Sequence, residues 1–136
     1  MPQLRSIVLI DDNETTSFLN NRLLSRLGVA EQVHTFSQAE PAYRFLWGEP
    51  GAPINTETLP ELIFVDLKMP GIDGFEFLRM YNALPQEVQE KSVLTVLTTS
   101  MHSADTVRVA QYPGVEYLAK PLTEEKMTKL LEKRFK

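Results

Sequence analysis

The sequence predicts an α/β fold built on a doubly wound, five-stranded parallel sheet with helices on both faces. Three observations carry that prediction. Five short apolar runs, SIVLI, QVHTF, ELIFV, SVLTVL and VEYLA, alternate with stretches of helical periodicity. Most are apolar enough for strands buried on both faces, as parallel strands are. Four of them lead into a polar side chain at their carboxyl ends: Asp11 with Asp12, Asp66, Thr98 and Lys120. In right-handed βαβ arrangements ligands gather beyond those strand ends, near a reversal in strand order.

The elements follow in order. After SIVLI, residues Leu19, Leu23 and Leu27 recur every fourth position, Leu24 widens the stripe, and Gly28 supplies a stop. QVHTF reads as a second, shorter strand. Ser37 to Trp47 reads as a helix with Ser37 as cap, Glu40 at the capping-box position, and Ala42, Phe45 and Leu46 facing inward. Pro41 displaces or loosens its first turn. Residues 48–60, GEPGAPINTETLP, form a surface excursion. ELIFV is the third strand, MPGIDG a tight loop, and FEFLRMYNAL a helix ending near Pro85. SVLTVL is the fourth strand, Ser103 caps ADTVRVAQY, and Pro113-Gly114 breaks the chain before VEYLA. Thr123 caps the last helix, whose Met127, Leu130 and Leu131 share a face.

Composition narrows the function. At 136 residues, one domain over 1–136 with a core from about residue 5 is expected. A formal charge of −4 opposes generic nucleic-acid binding, which needs a concentrated basic surface. The basic KMTKLLEKRFK segment alternates charge with an apolar helical face and reads as a solvated helix. No cysteine is present, so thiolate chemistry and disulfides are excluded. No segment reaches membrane-spanning length and the N-terminus lacks a signal-peptide pattern, so a cytoplasmic location is expected.

The polar strand ends define a chemistry. Asp11 and Asp12 can face one hard cation, and oxygen ligands suit Mg²⁺; neither His34 nor His102 lies in a zinc-type spacing. Taken alone, such an acidic pair also serves as a loop or helix cap. Asp66 is the candidate nucleophile, a carboxylate able to accept a phosphoryl group as an acyl phosphate. The Lys68 backbone carbonyl is a further oxygen ligand, leaving its side chain free. Lys120, held before Pro121, can meet a phosphoryl oxygen or Asp66, and the Thr98 hydroxyl can donate to the phosphoryl group. Tyr117 can exchange between outward and packed rotamers as Thr98 moves. Three ionised aspartates and Lys120 leave a local formal charge of −2, which predicts dependence on a divalent cation.

With VLIDDNE, FVDLKMPGIDGFEFL, VLTTS and VEYLAKPL in this order, the chain resembles the receiver domain of two-component response regulators. The likeness is to small stand-alone members related to the chemotaxis response regulator. It extends from about residue 5 to the C-terminus, and the combination of motifs is far more specific than any one. The resemblance implies a flavodoxin-like sheet ordered 2-1-3-4-5. It implies Asp66 as phosphoacceptor, Asp11 and Asp12 as the acidic Mg²⁺ pocket and Lys68 as a carbonyl ligand. Thr98 and Lys120 become phosphoryl sensors, and Tyr117 the aromatic switch. It further implies a phosphohistidine donor on a sensor histidine kinase or phosphotransfer protein, self-catalysed transfer and slow autodephosphorylation. Three details depart from the commonest pattern: the length of residues 48–60, Thr99 where a smaller residue is frequent, and Pro41 in the second helix.

Three other readings compete. A phosphorylation-independent pseudo-receiver would use the same fold as an interaction module, but the full polar set argues against lost chemistry. A Mg²⁺-dependent phosphohydrolase would need a second acid/base group near Asp66, and Lys68 occupies the position where a second aspartate is typical. A flavoprotein lacks a phosphate-cradling loop here. Without an effector segment, output by protein docking or onward phosphorelay is expected, on a surface around Ala104, Val107, Tyr117 and Lys126. Homodimerisation stays open, because the sequence carries no oligomer code.

Overall fold

The computed structural model describes residues 3–49, 51–69, 71, 73–99 and 103–135. Five strands form one sheet: β1 (Leu4–Ile10), β2 (Ala30–Phe36), β3 (Leu62–Val65), β4 (Val93–Thr98) and β5 (Glu116–Ala119). All neighbouring strands are parallel, and their order is β2-β1-β3-β4-β5. The intervening helices are α1 (Glu14–Leu27), α2 (Ala39–Trp47), α3 (Gly74–Asn82), α4 (Gln86–Gln89) and α5 (Ser103–Ala110), and α6 (Glu124–Arg134) follows β5.

Alternation along the central strands divides the core into two layers. Val8, Ile10, Ile63, Val65, Leu94 and Val96 face α2, α3 and α5. Ile7, Leu9, Leu62, Phe64, Val93 and Leu97 face α1 and α6. Both faces are therefore buried, which is why these strands read as continuous apolar runs. Each large apolar side chain so enclosed contributes about 1.5–3 kcal/mol relative to exposure. The strand order reverses between β1 and β3, and the chain leaves those two strands at Asp11 and Asp66.

Several elements differ from expectation, each for a local reason. β2 begins at Ala30 and matches β1 in length, because Leu4 pairs with Ala30 although Glu31 and Gln32 are exposed on this edge strand. In α1 the inward face centres on Asn20 and Leu24; Leu23 and Leu27 are half-buried, and Leu19 is 55% exposed. One residue is about 100° of helix, enough to turn the outer end of a leucine stripe to solvent. Ser37 does not cap α2: Gln38 is the N-cap and makes no side-chain cap bond. Pro41 falls in the first turn, where its missing N–H has no intrahelical carbonyl to lose. Phe45 is 53% exposed and lies against the rings of His34 and Phe36, while Ala39, Ala42, Tyr43, Leu46 and Trp47 face inward. Ser103 is the first residue of α5 rather than its cap, and the position before it lies outside the described residues. The short α4 has no counterpart in the sequence reading; Tyr81 Oη donates to the Gln89 carbonyl and holds it against α3.

Other caps are as expected. Gly28 ends α1 with φ 65°, a left-handed conformation that favours glycine, and Thr123 accepts from the Lys126 N–H. The 48–60 excursion is pinned at its exit. Arg5 donates to the carbonyls of Glu57 and Leu59, Ser92 to that of Pro60, and the Glu61 carboxylate accepts from the N–H groups of Arg5 and Ser6. Among the described residues, no helix is long and apolar enough to cross a membrane.

The C-terminal turn of α6 is clamped to β5. Glu116 accepts from Lys133 Nζ at 2.9 Å and Arg134 Nη1 at 2.7 Å, and Arg134 also donates to the Gly114 carbonyl. Burial pushes the Glu116 carboxyl upward, but the two cations outweigh it and hold its pKa below the ordinary 4.5. The clamp's contribution is therefore complete above the unfolded-state value and is lost as pH falls through the lower folded-state value. Glu116→Gln is expected to cost about 1 kcal/mol at neutral pH. In urea titrations the gap to wild type should close as pH falls below the ordinary carboxylate range and Glu116 protonates.

Candidate functional site

Parallel pairing places the site. Asp11 N–H donates to the Phe36 carbonyl, and Asp66 N–H to that of Ile10, so each aspartate continues a ladder by one residue. Lys120 N–H donates in the same way to the Thr98 carbonyl. The ends of β1, β3, β4 and β5 are thus held in register by backbone bonds.

Lys120 Nζ bonds Asp11 Oδ2 at 2.5 Å and Asp66 Oδ2 at 3.1 Å, and all three side chains are nearly enclosed. Asp11 Oδ1 accepts from the Asn13 N–H at 2.9 Å; Lys68 N–H approaches Asp66 Oδ1 at 3.5 Å, a weak contact. Asn13 in turn accepts from Thr16 N–H and caps α1. Burial alone lowers the pKa of Lys120, but Asp11 and then Asp66 outweigh it, so its pKa is raised and the charged form is favoured.

Asp12 is exposed and completes a cluster with Asp11 and Asp66: one carboxylate oxygen from each lies within 4.8 Å of the others. Three carboxylate oxygens and no imidazole or thiolate make a donor set for a hard cation such as Mg²⁺. Lys68 follows Asp66 by two residues with its side chain exposed. Thr98 is the buried last residue of β4, one position earlier than a loop placement. Tyr117 is half-buried on β5, in the layer that holds α5; burial and then Asp105 raise its pKa and favour the neutral phenol. The structure therefore brings Asp11, Asp12, Asp66 and Lys120 together, while Tyr117 pairs with Val96, two positions before Thr98 on β4. Pro70 and Ile72 of MPGIDG, Ser100 of VLTTS, and His102 lie outside the described residues.

Two supporting residues escaped the sequence reading. Lys126, expected on an output face, also donates from Nζ to the carbonyls of Ala119 and Pro121 at 2.6 and 2.9 Å. It braces the turn that carries Lys120 and the cis Lys120–Pro121 peptide. Ala104 and Val107 are exposed, as expected of that face. Gly74 opens α3 directly against the loop that follows Asp66, donating its N–H to the Leu67 carbonyl at 3.0 Å. A Cβ there would overlap the Asp66 carbonyl and Leu67 Cα. A glycine after an aspartate-rich loop is visible in sequence, but its need for close backbone approach is not.

The chain's likeness to known proteins follows the same lines. The family described as response regulator receiver domain matches residues 7–132. A probable chemotaxis protein CheY of Rhizobium etli is 33% identical over 129 residues, covering 95% of this chain and 91% of that protein. Two solved structures are similar. The two-component response regulator from Cytophaga hutchinsonii has TM-score 0.82 and 25% identity, covering 96% of each chain. The response regulator receiver protein from Dyadobacter fermentans has TM-score 0.82 and 27% identity, covering 96% of this chain and 98% of that one.

Because the displaced neighbours of Gly74 are main-chain atoms, Gly74→Ala is expected to lower stability by about 1–3 kcal/mol. It should also shift backbone amide resonances of residues 66–68 in an NMR spectrum, whereas an exposed-face control such as Gly51→Ala should leave them in place.

Proposed function

Because the chain belongs to the response regulator receiver domain family, we propose that Asp66 accepts a phosphoryl group from a phosphohistidine. The donor would be a sensor histidine kinase or a histidine phosphotransfer protein. The observation that carries this reading is Lys120 bridging Asp11 and Asp66 at the switch point of the sheet. It sets a nucleophilic oxygen beside a fixed positive charge at the place where such folds bind ligands.

In the transfer, an Asp66 carboxylate oxygen forms a bond to phosphorus as the phosphorus–nitrogen bond to the donor imidazole breaks. The imidazole, protonated on its other ring nitrogen, leaves with the bonding electron pair and so ends neutral, and Asp66 becomes an acyl phosphate. Lys120 turns its ammonium from the acceptor carboxylate to the new phosphoryl oxygens, a shift between two groups in one place. Thr98, at the neighbouring strand end, donates its hydroxyl to the phosphoryl group. Asp11, Asp12, Asp66 and the Lys68 carbonyl would hold Mg²⁺, which when bound offsets negative charge among the three acids and the transferred group.

Phosphorylation then changes the docking of a partner protein or passes the group onward. Movement of Thr98 toward the phosphoryl group favours the packed rotamer of Tyr117, and the α5–β5–α6 surface carries the change to a downstream protein. Direct nucleic-acid contact and membrane insertion play no part in this reading, and a cytoplasmic setting suits it.

The test is labelling by acetyl phosphate or a phosphohistidine donor with and without Mg²⁺. Wild type is expected to incorporate one hydroxylamine-labile phosphoryl group only with the metal, and Asp66→Asn is expected to stay at background. Equal metal-dependent incorporation in both proteins defeats the assignment of Asp66, and a label that survives hydroxylamine rules out an acyl phosphate. Steady turnover of a small phosphate ester would instead favour the phosphohydrolase.

A further inference from the structure

An open groove leads away from the acidic cluster toward α3 and α5. Asp12, Lys68, Asp73, Phe75 and Arg108 line it, and Asp12 belongs to both the groove and the cluster. Its two acids are engaged, Asp12 in the cluster and Asp73 as the N-cap of α3, where it accepts from the Glu76 N–H. Its two cations are not. Among the described residues, neither the Lys68 ammonium nor the Arg108 guanidinium has a hydrogen-bond or ion-pair partner.

Arg5, Arg44, Arg79 and Arg134 each meet a carboxylate, whereas Arg108 lies over the Phe75 ring with its Cζ 3.7 Å from the centroid. Stacking fixes the plane of a guanidinium and leaves the N–H groups along its edge free to donate. Packing alone does not call for the charge, since a methionine would cover Phe75 as well without one. Lys68, on a long flexible stem, has no such hold. An oriented, unpaired fork in a groove that begins at the acidic cluster suits a carboxylate, which it can meet with two parallel hydrogen bonds.

We propose that Arg108, held on Phe75, is a specificity-determining residue for the phosphodonor, receiving the carboxylate that an acyl phosphate releases. This rests on Asp66 being the phosphoacceptor. An Asp66 carboxylate oxygen bonds to phosphorus as the bond from phosphorus to the bridging acyl oxygen breaks. The electron pair departs on that oxygen, which becomes part of a free carboxylate, and no proton is transferred. Negative charge therefore develops on the leaving group, where the guanidinium offsets it. A donor that releases a neutral group gains nothing from that charge. Phosphoramidate, whose nitrogen carries three hydrogens, releases ammonia, and a phosphohistidine releases neutral imidazole.

The experiment labels wild type, Arg108→Met and Arg108→Lys with acetyl phosphate and with phosphoramidate, at low and high salt, and follows thermal unfolding of each. Arg108→Met is expected to label about tenfold more slowly from acetyl phosphate and at the wild-type rate from phosphoramidate. Arg108→Lys, which keeps the charge, is expected to recover part of the lost rate. Salt should slow acetyl phosphate labelling of wild type more than that of Arg108→Met, because an exposed charge is screened. A ratio of the two donor rates that is the same in Arg108→Met and wild type overturns the proposal, whether both rates hold or both fall. If Arg108→Met unfolds early, Arg108→Gln is read in its place. Wild type that takes label from neither donor overturns the phosphoacceptor reading, and the role of Arg108 with it. Wild type that labels from both while the donor ratio stays unmoved by the substitution strikes Arg108 alone.

Discussion

The ammonium of Lys120 lies between Asp11 and Asp66, and the arrangement of the molecule around the site follows from that bridge. The three residues follow the ends of β1, β3 and β5, more than fifty positions apart in sequence. Two carboxylates this close repel each other in an enclosed cleft unless a cation stands between them. Lys120 supplies that charge, and the raised pKa of its ammonium expresses the same attraction seen from the other partner. An attraction that strong can be redirected. A group with more negative charge than a carboxylate, bonded to Asp66, competes for the same ammonium without requiring it to travel far.

The bridge depends on backbone placement. Asp11, Asp66 and Lys120 each leave their strands on a ladder hydrogen bond, so the directions of their side chains are set by the sheet rather than by flexible loops. From α3, Gly74 lets a helix start against the carbonyl of Asp66. From α6, Lys126 holds the two carbonyls flanking Lys120. A glycine and a lysine outside the acidic cluster thus fix where Asp66 and Lys120 stand.

Exposed and buried polar groups separate into two kinds of work. Asp12 and Lys68 lie open to solvent at the mouth of the site. Asp11, Asp66 and Thr98 are buried at the floor, where low dielectric strengthens every charge interaction.

The alternation of apolar runs with helical stretches was enough to specify a parallel sheet, because strands buried on both faces must be apolar throughout and their ends must be polar. Asp11, Asp12, Asp66, Thr98 and Lys120 were legible for the same reason: each interrupts hydrocarbon at a strand end. Faces of helices were read less well. Leu19 and Phe45 looked inward by spacing and are exposed, since a shift of one residue turns a side chain by about 100° and only the packed sheet sets the zero of that rotation. Residues whose role depends on distant partners left no local trace: Lys126 bracing a turn and Gly74 against Asp66. Sequence alone thus determined the order of elements and the identity of the polar groups at the strand ends, which are properties of local pattern. Tertiary structure decided which groups touch, because contact between residues far apart in the chain is set by how the strands cross over and how closely the helices lie on them.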